Sequence, residues 1–344
     1  MSALLHRESI HPLVVLVSFG LISLDAVLLA ARLLGAPFRW WFPDTPLVVG
    51  GLAFYLASLG GALDLSLLVV GIRRAIRHRD LDRAERRRIV LGPWRRSGFF
   101  SLGVWPIALP AIAGYFVVAT SNVTQISLSL IADGAAWRDP QLWALERGLH
   151  EWVVGLDVPV ARWDMLYHNA WTIEATALFA LILISRSRTT TLAFLLSFIV
   201  LFYVGRLLGL LNPVMGPAFY RPDLYAYLDG SWTAQIQDLL ARLIRAGPGA
   251  TWNSGVLMGG ISAMPSLHVG LVTTCAYWLA VADARLAWFG VPWILLVWMS
   301  TVVLGWHYAL DGLGGILTAW LCIVLTRRGM AAVGLASPDL LLAR

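Results

Sequence analysis

Apolar residues along this chain fall into runs of about 17 to 25, the length a helix needs to cross the hydrocarbon core of a bilayer. The pattern predicts helices near 12–33, 47–72, 98–119, 170–185, 190–211, 265–282, 286–303 and 307–326, the fourth being the shortest. Inside lipid the backbone N–H and C=O groups have no water to bond, and the alternating ten-residue strands of a barrel are absent. The expected fold is therefore all-α, a polytopic transmembrane helical bundle of about eight spans. The first run carries Asp25 and is followed by no small-residue cleavage site, so it is expected to stay as a span and not to be removed as a signal peptide. No internal repeat or low-complexity linker interrupts the series.

Polar positions sort the loops. The segment 73–96 holds Arg73, Arg74, Arg77, Arg79, Arg83, Arg86, Arg87, Arg88, Arg95 and Arg96. Basic loops stay on the cytoplasmic side, and counting spans from this one puts Arg186, Arg188, Arg327 and Arg328 on the same side. Both termini are then cytoplasmic. The two long loops, 120–169 and 212–264, fall on the opposite face. Each contains one amphipathic stretch: Leu142, Leu145, Leu149, Trp152 and Val153 in the first, and Ile236, Leu239, Leu240, Leu243 and Ile244 in the second. Such helices either lie flat on the membrane or roof a cavity and guide a lipid into it.

Composition agrees with a lipid-solvated chain: 58% hydrophobic and 13% charged residues, with a mean hydropathy of +0.72. The 17 tryptophans suit two membrane interfaces, where an indole buries its ring and keeps its N–H wet. The formal charge of +6 is accordingly read as loop topology, and no nucleic-acid partner is expected. All 26 basic residues are Arg, which fits a GC-rich genome. Cys275 and Cys322 sit inside apolar runs and offer neither a disulfide framework nor a thiolate metal site.

Ionisable residues at the mouths of membrane helices are costly and are functional candidates. Three groups qualify, all at the non-cytoplasmic ends of spans. Met264-Pro265-Ser266-Leu267-His268 opens the sixth span; with Pro265 in the first turn and Ser262 as cap, Ser266 and His268 lie near a helix N-terminus, a ready anion site. His307 and Asp311 open the eighth span, four residues apart on one helical face, where the carboxylate can orient the imidazole as nucleophile or general base. The Asn212–Pro222 turn leaves the fifth span, and Arg221 there, with Arg206 inside that span, can offer positive charge to a phosphate. Any one of these alone is as well explained by structure: a lone His by an interfacial role, Arg206 by snorkelling or by pairing with Asp64 or Glu174. Together they are the constellation expected for phosphoryl transfer through a phosphohistidine. A two-histidine metal site drawing on His150 and His168 lacks a short ligand spacing.

At these residues the sequence resembles the type 2 phosphatidic acid phosphatase (PAP2) superfamily, and within it the inositol phosphorylceramide synthases and their bacterial relatives. The resemblance rests on Ala263-Met264-Pro265-Ser266-Leu267-His268, on His307-Tyr308-Ala309-Leu310-Asp311 and on the Pro213–Pro217 turn. It implies a six-helix catalytic core over 98–330, preceded by two added helices and a basic loop in 1–97 and followed by a tail over 331–344. It also implies that His307 is the nucleophile, that Asp311 orients it, that His268 protonates the leaving group and that Ser266 holds phosphate oxygens, with no metal or cofactor. The phosphatase pattern has Ser-Arg seven and six residues before the nucleophile, where this chain has Ser300 and Thr301. It has Lys seven residues before an Arg-Pro pair, where this chain has Val214 before Arg221-Pro222. The missing Arg before the nucleophile, together with Leu267 in Pro265-Ser266-Leu267-His268, resembles the phosphotransferase branch more than a simple phosphatase. The expected activity is transfer of a phosphoinositol-like headgroup between membrane lipids, in a bacterial plasma membrane. Hydrolysis of a lipid phosphate or polyprenyl pyrophosphate at the same site is the alternative, and a non-enzymatic lipid transporter or binding protein is the reading of a different class.

Overall fold

The computed structural model describes residues 11–77, 81–132, 137–247 and 262–335. Arg79 of the basic loop, residues 248–261 of the second long loop and the tail from 336 onward lie outside the described residues. The described residues are helical throughout, with no strand among them. The helices are α1 (Pro12–Leu33), α2 (Thr45–Arg77), α3 (Arg83–Ser97), α4 (Trp105–Ala119), α5 (Ser121–Ala132), α6 (Asp139–Val154), α7 (Val160–His168), α8 (Ala170–Ser185), α9 (Arg188–Leu211), α10 (Pro217–Tyr220), α11 (Trp232–Ala246), α12 (Leu267–Ala282), α13 (Ala287–Val303) and α14 (Ala309–Ala332).

Each apolar run forms a helix, with displaced ends. Among the described residues, six helices are long and apolar enough to cross a membrane: α1, α2, α4 continued through α5, α9, α13 with its preceding turn, and α14. Helices α7 and α8, bent by 45° to each other, pass the same test together and bring the number to seven if the pair is one span. At 16 residues α12 is apolar but shorter, about 24 Å against a core of roughly 30 Å. The expected third span at 98–119 starts late, at Trp105. Asp64 explains why: it accepts from Trp94 Nε1 (2.6 Å), Phe99 N (2.6 Å) and Phe100 N (3.1 Å), fixing residues 98–103 as a turn. Asp64 is thereby occupied and does not pair with Arg206.

The core sits around α9, which packs on α1, α4, α5, α8, α12 and α14. Leu192, Phe194, Ile199 and Leu201 on α9 are buried, as is Trp278 on α12, whose indole N–H donates to Ser197 Oγ at 3.2 Å. Helices α1 and α2 are peripheral. Each buries a single stripe, Leu16, Gly20, Leu24 and Ala31 on α1 and Leu56, Gly60, Asp64 and Gly71 on α2. The rest of the apolar surface points outward: Ile22, Phe54, Trp288, Phe289, Leu317 and Trp320 are all exposed. In water that surface would drive association; in lipid it is the expected exterior.

The arginine-rich turns share one end of the bundle. Arg186, between α8 and α9, donates to Ser101 Oγ beside the end of α3 (3.0 Å), and Arg327, late in α14, donates to the Tyr277 hydroxyl late in α12 (2.6 Å). At the other end lie the starts of α12 and α14, the ends of α9 and α13, and helices α6, α7, α10 and α11.

Helices α12 and α14 cross backbone to backbone. A side chain at Gly315 would collide with the Ser266 carbonyl, and one at Gly270 would come within 3.3 Å of the Gly315 carbonyl. Gly315 is thus a packing residue within this chain. Gly315→Leu should destabilise the detergent-solubilised protein by about 1–3 kcal/mol or more through overpacking. Gly61→Ala, where nothing lies within 4 Å of an added carbon, should leave the melting temperature unchanged or raise it, since alanine is the better helix former. Equal melting temperatures for the two variants would contradict this crossing.

Candidate active site

Two helix beginnings and one helix end build the site. Helix α13 closes through Gly305, whose φ of +67° is open to glycine and strained for other residues. The Trp306 N–H reaches back to Thr301 O (3.0 Å) and the Gly305 N–H to Val302 O (3.1 Å), and His307 N also donates to Thr301 O (3.2 Å). A side chain at Gly305 would strike Tyr225 and Ala218 at 2.6–2.7 Å, so both conformation and space require glycine. This turn delivers His307 just before α14. The sequence pattern puts His307 on the helix itself; in the structure Tyr308 is the cap and Ala309 the first helical residue. Asp311 is one turn in. Its Oδ2 accepts from Tyr308 N (2.8 Å) and lies 3.5 Å from His307 Nδ1, longer than a formed hydrogen bond and within reach of a small ring rotation.

Helix α12 begins at Leu267, with its cap four residues later than the sequence signals suggest. Ser266 is the cap, with extended backbone and its Oγ accepting from Val269 N at 3.4 Å, while Ser262 Oγ donates to Met264 O. Proline at 265 disfavours helical backbone at Met264, so the helix starts after the proline and not before it. The Ser266 N–H donates to Asp311 O at 2.8 Å. Ser266 is fully buried, its hydroxyl turned to its own helix, whereas Leu267 and His268 face a cavity. Among the described residues no acceptor takes the N–H of Leu267 or His268, which leaves the start of α12 open to an anion.

His268 and His307 meet there. Their ring centroids are 6.2 Å apart, and both line a cavity of about 40 Å³, room for a few water-sized groups. Tyr167 from α7 completes one wall. Its ring lies 4.4 Å from that of His268, its hydroxyl is 3.2 Å from His268 Nδ1, and its other side stacks on Trp306 (5.6 Å, 11°). Leu240 and Ile244 of α11 close the cavity from above, so the second amphipathic stretch is a roof.

The first amphipathic stretch, α6, divides differently. Of its apolar residues Leu142 and Val153 are buried while Leu145 and Trp152 are exposed, and Asp139, Glu146 and His150 share the buried face. These polar groups turn inward because backbone N–H groups wait for them. Glu146 accepts from Ala309 N (2.6 Å) and Leu310 N (2.7 Å), capping α14, and Asp139 accepts from Met215 N and Gly216 N, both 2.9 Å. Neither Glu146 nor Tyr167 stands out in the sequence, because their partners are 163 and 101 residues away. Burial pushes the Glu146 carboxyl up, but the His150 ring 3.4 Å away and the Leu310 and Ala309 N–H groups outweigh it and hold it below the usual carboxylate value.

The two arginines are not in this cavity. Arg221 forms a two-point pair with exposed Asp223 (3.0 and 2.7 Å) and lies over the Trp143 ring. Arg206 is buried, donates to Thr124 Oγ1 at 2.9 Å and lines a separate small cavity that shares Ser262 and Leu267 with the first. Thr301 and Val214, standing where the resemblance implies Arg and Lys, are fully buried, and their carbonyls accept backbone N–H groups. No described residue lining the histidine cavity is Arg or Lys. His150 bonds Tyr225 (2.7 Å) and faces Glu146, while His168 faces Asp164 (3.1 Å) and Thr233, so these two histidines do not converge.

A family model described as PAP2 superfamily matches residues 142–325, more than half of the chain. The matched region starts in α6 and contains Ser266, His268, His307 and Asp311, leaving α1 to α5 outside it. No match was found among curated proteins or among solved structures.

The Glu146 cap makes a pH prediction. Its carboxyl titrates below its ordinary value of 4.5 when folded, so its stabilisation is fully present above 4.5 and is lost as pH falls from there through the lower value of the folded state. Glu146→Gln should lower stability at neutral pH by about 1–2 kcal/mol and flatten the loss of stability on acidification. Unfolding curves of both proteins from neutral pH into the acid range check this; parallel curves would contradict it.

Proposed function

This chain belongs to the PAP2 superfamily, and on that footing we propose that it is an integral-membrane lipid phosphotransferase working through a phosphohistidine. The observation that carries the reading is the pair of imidazoles on one cavity, with Asp311 behind one and Tyr167 behind the other. Asp311 faces Nδ1 of His307, which leaves Nε2 as the nucleophile. In the first step Nε2 attacks phosphorus, the bond from phosphorus to the donor lipid's oxygen breaks, and His268 gives that oxygen its proton. His268 acts here as the imidazolium, its Nδ1–H donating to the Tyr167 hydroxyl oxygen and its Nε2 proton passing to the leaving oxygen, which leaves a neutral imidazole to take the acceptor's proton in the next step. In the second step an acceptor hydroxyl loses its proton to His268 and attacks phosphorus, releasing His307.

Charge on the phosphoryl oxygens is met by the open N–H groups at the start of α12, which Ser266 positions, and by Arg206 in the neighbouring cavity. Arg221 would have to leave Asp223 to reach the phosphate, so Arg206 is the better assignment of the two. Neutral Thr301 and Val214 support the phosphotransferase branch, with a phosphoinositol-like headgroup passing to a lipid alcohol. Water in place of the alcohol gives hydrolysis at the same site.

Purified protein given labelled phosphatidylinositol, with and without ceramide or diacylglycerol, separates the outcomes. Label on a new lipid supports transfer, and soluble labelled phosphate or inositol phosphate supports hydrolysis. His307→Ala should abolish turnover, His268→Ala should nearly do so, and Asp311→Asn should lower it about 10²–10⁴-fold, each with melting behaviour close to that of the parent. Vanadate should inhibit. Retained turnover in His307→Ala would falsify the mechanism.

A further inference from the structure

A second cavity, of about 280 Å³, lies beside the histidines between α2, α4, α8, α9 and α12. Tyr167, Leu267 and His268 line both cavities, so the two adjoin across the His268 ring. Most of the wall is apolar, with Leu52, Ala113, Val117, Leu178, Phe198 and Leu271. Leu52 comes from α2, outside the region the family model matches. Glu174 on α8 breaks this lining. Neither of its carboxyl oxygens has a hydrogen-bond partner among the described residues, and Oε1 is enclosed. A carboxyl left unpaired among membrane helices is costly, and a ligand donor would relieve that cost. Helical side chains lean toward the N-terminus, so this carboxyl rises toward Ala170, the end of α8 nearest Tyr167 and His268.

We infer that this cavity holds the hydrocarbon chain of a lipid whose head reaches the histidine pair, and that Glu174 selects lipids carrying a hydroxyl or amide N–H near the head of that chain. The inference rests on the phosphotransfer reading for what happens at the head, and on the cavity alone for binding. A carboxyl accepts a hydrogen bond in either protonation state, so a free hydroxyl is favoured over the same position blocked. The long apolar wall supplies affinity, and the Glu174 carboxyl set within it supplies choice.

The test compares 1-palmitoylglycerol with its 2-O-methyl ether, lipids that differ in one donor, for binding to the full-length detergent-solubilised protein by native mass spectrometry. Wild type should prefer the free hydroxyl about tenfold. Glu174→Leu should lose that preference by weakening the hydroxyl lipid alone, and Glu174→Gln, which keeps an acceptor oxygen, should retain it. Gly114→Leu, whose first added carbon would sit 3.8–4.0 Å from Val48, Val49 and Leu52, should weaken both lipids by narrowing the cavity. Equal binding of the two lipids by wild type, or an undiminished preference in Glu174→Leu, overturns the role of Glu174; full binding by Gly114→Leu overturns the cavity. Binding is read without turnover, so a protein that selects the hydroxyl lipid yet transfers no phosphoryl group would contradict the reaction and support the cavity.

Discussion

One residue ties the two histidine-bearing segments together. The main-chain oxygen of Asp311 accepts the Ser266 N–H at the start of α12, and its side chain accepts the Tyr308 N–H at the start of α14 while facing His307 Nδ1. The positions of His268 and His307 are therefore both referred to a single helical turn. The approach is possible because Gly315, one turn further on, has no side chain to hold Ser266 away. Of the 38 residues between His268 and His307, the turn at Gly305 is the part that must be fixed for the rings to meet once this joint is closed.

The same economy of carboxylates runs through the loops. Glu146 caps α14, Asp139 holds the turn at Met215 and Gly216, Asp164 accepts from Trp232 N and Thr233 N to start α11, and Asp64 fixes the turn before α4. In each case a buried anion meets backbone N–H groups that would otherwise be unsatisfied, which is the favourable way to bury both. The acidic residues at the histidine end of the bundle are thus largely committed to structure. Asp311 does structural work and also faces an imidazole, and Glu174 lines a cavity without a protein partner among the described residues.

What the sequence made legible was local. The eight apolar runs were found because lipid imposes a minimum helix length, and His307 with Asp311, or Ser266 with His268, could be read because their spacing is a helical turn or less. Helix starts shifted by a few residues where caps had to be chosen among several polar residues, as with Ser262 and Ser266. Tyr167 and Glu146 escaped notice because what makes them matter lies on other helices. Helix α6 shows the limit of amphipathic reading most clearly: Leu145 and Trp152 of its apolar stripe are exposed, while Asp139 and Glu146 go inside with Leu142 and Val153, because backbone N–H groups of other segments satisfy them. Arg221 fits the motif spacing but is held by Asp223 two residues away, a local pair that competes with any distant phosphate.

The central claim is that His307, backed by Asp311 and opposed by His268, carries the phosphoryl group. Rapid quenching of the protein with a phosphorus-labelled lipid substrate at alkaline pH, where phosphohistidine survives, followed by peptide mass spectrometry, locates any covalent adduct. The account predicts phosphate on His307, accumulating further in His268→Ala if its residual activity suffices to form the adduct. Phosphate on another residue, or turnover that proceeds with no adduct at any quench time, would contradict it.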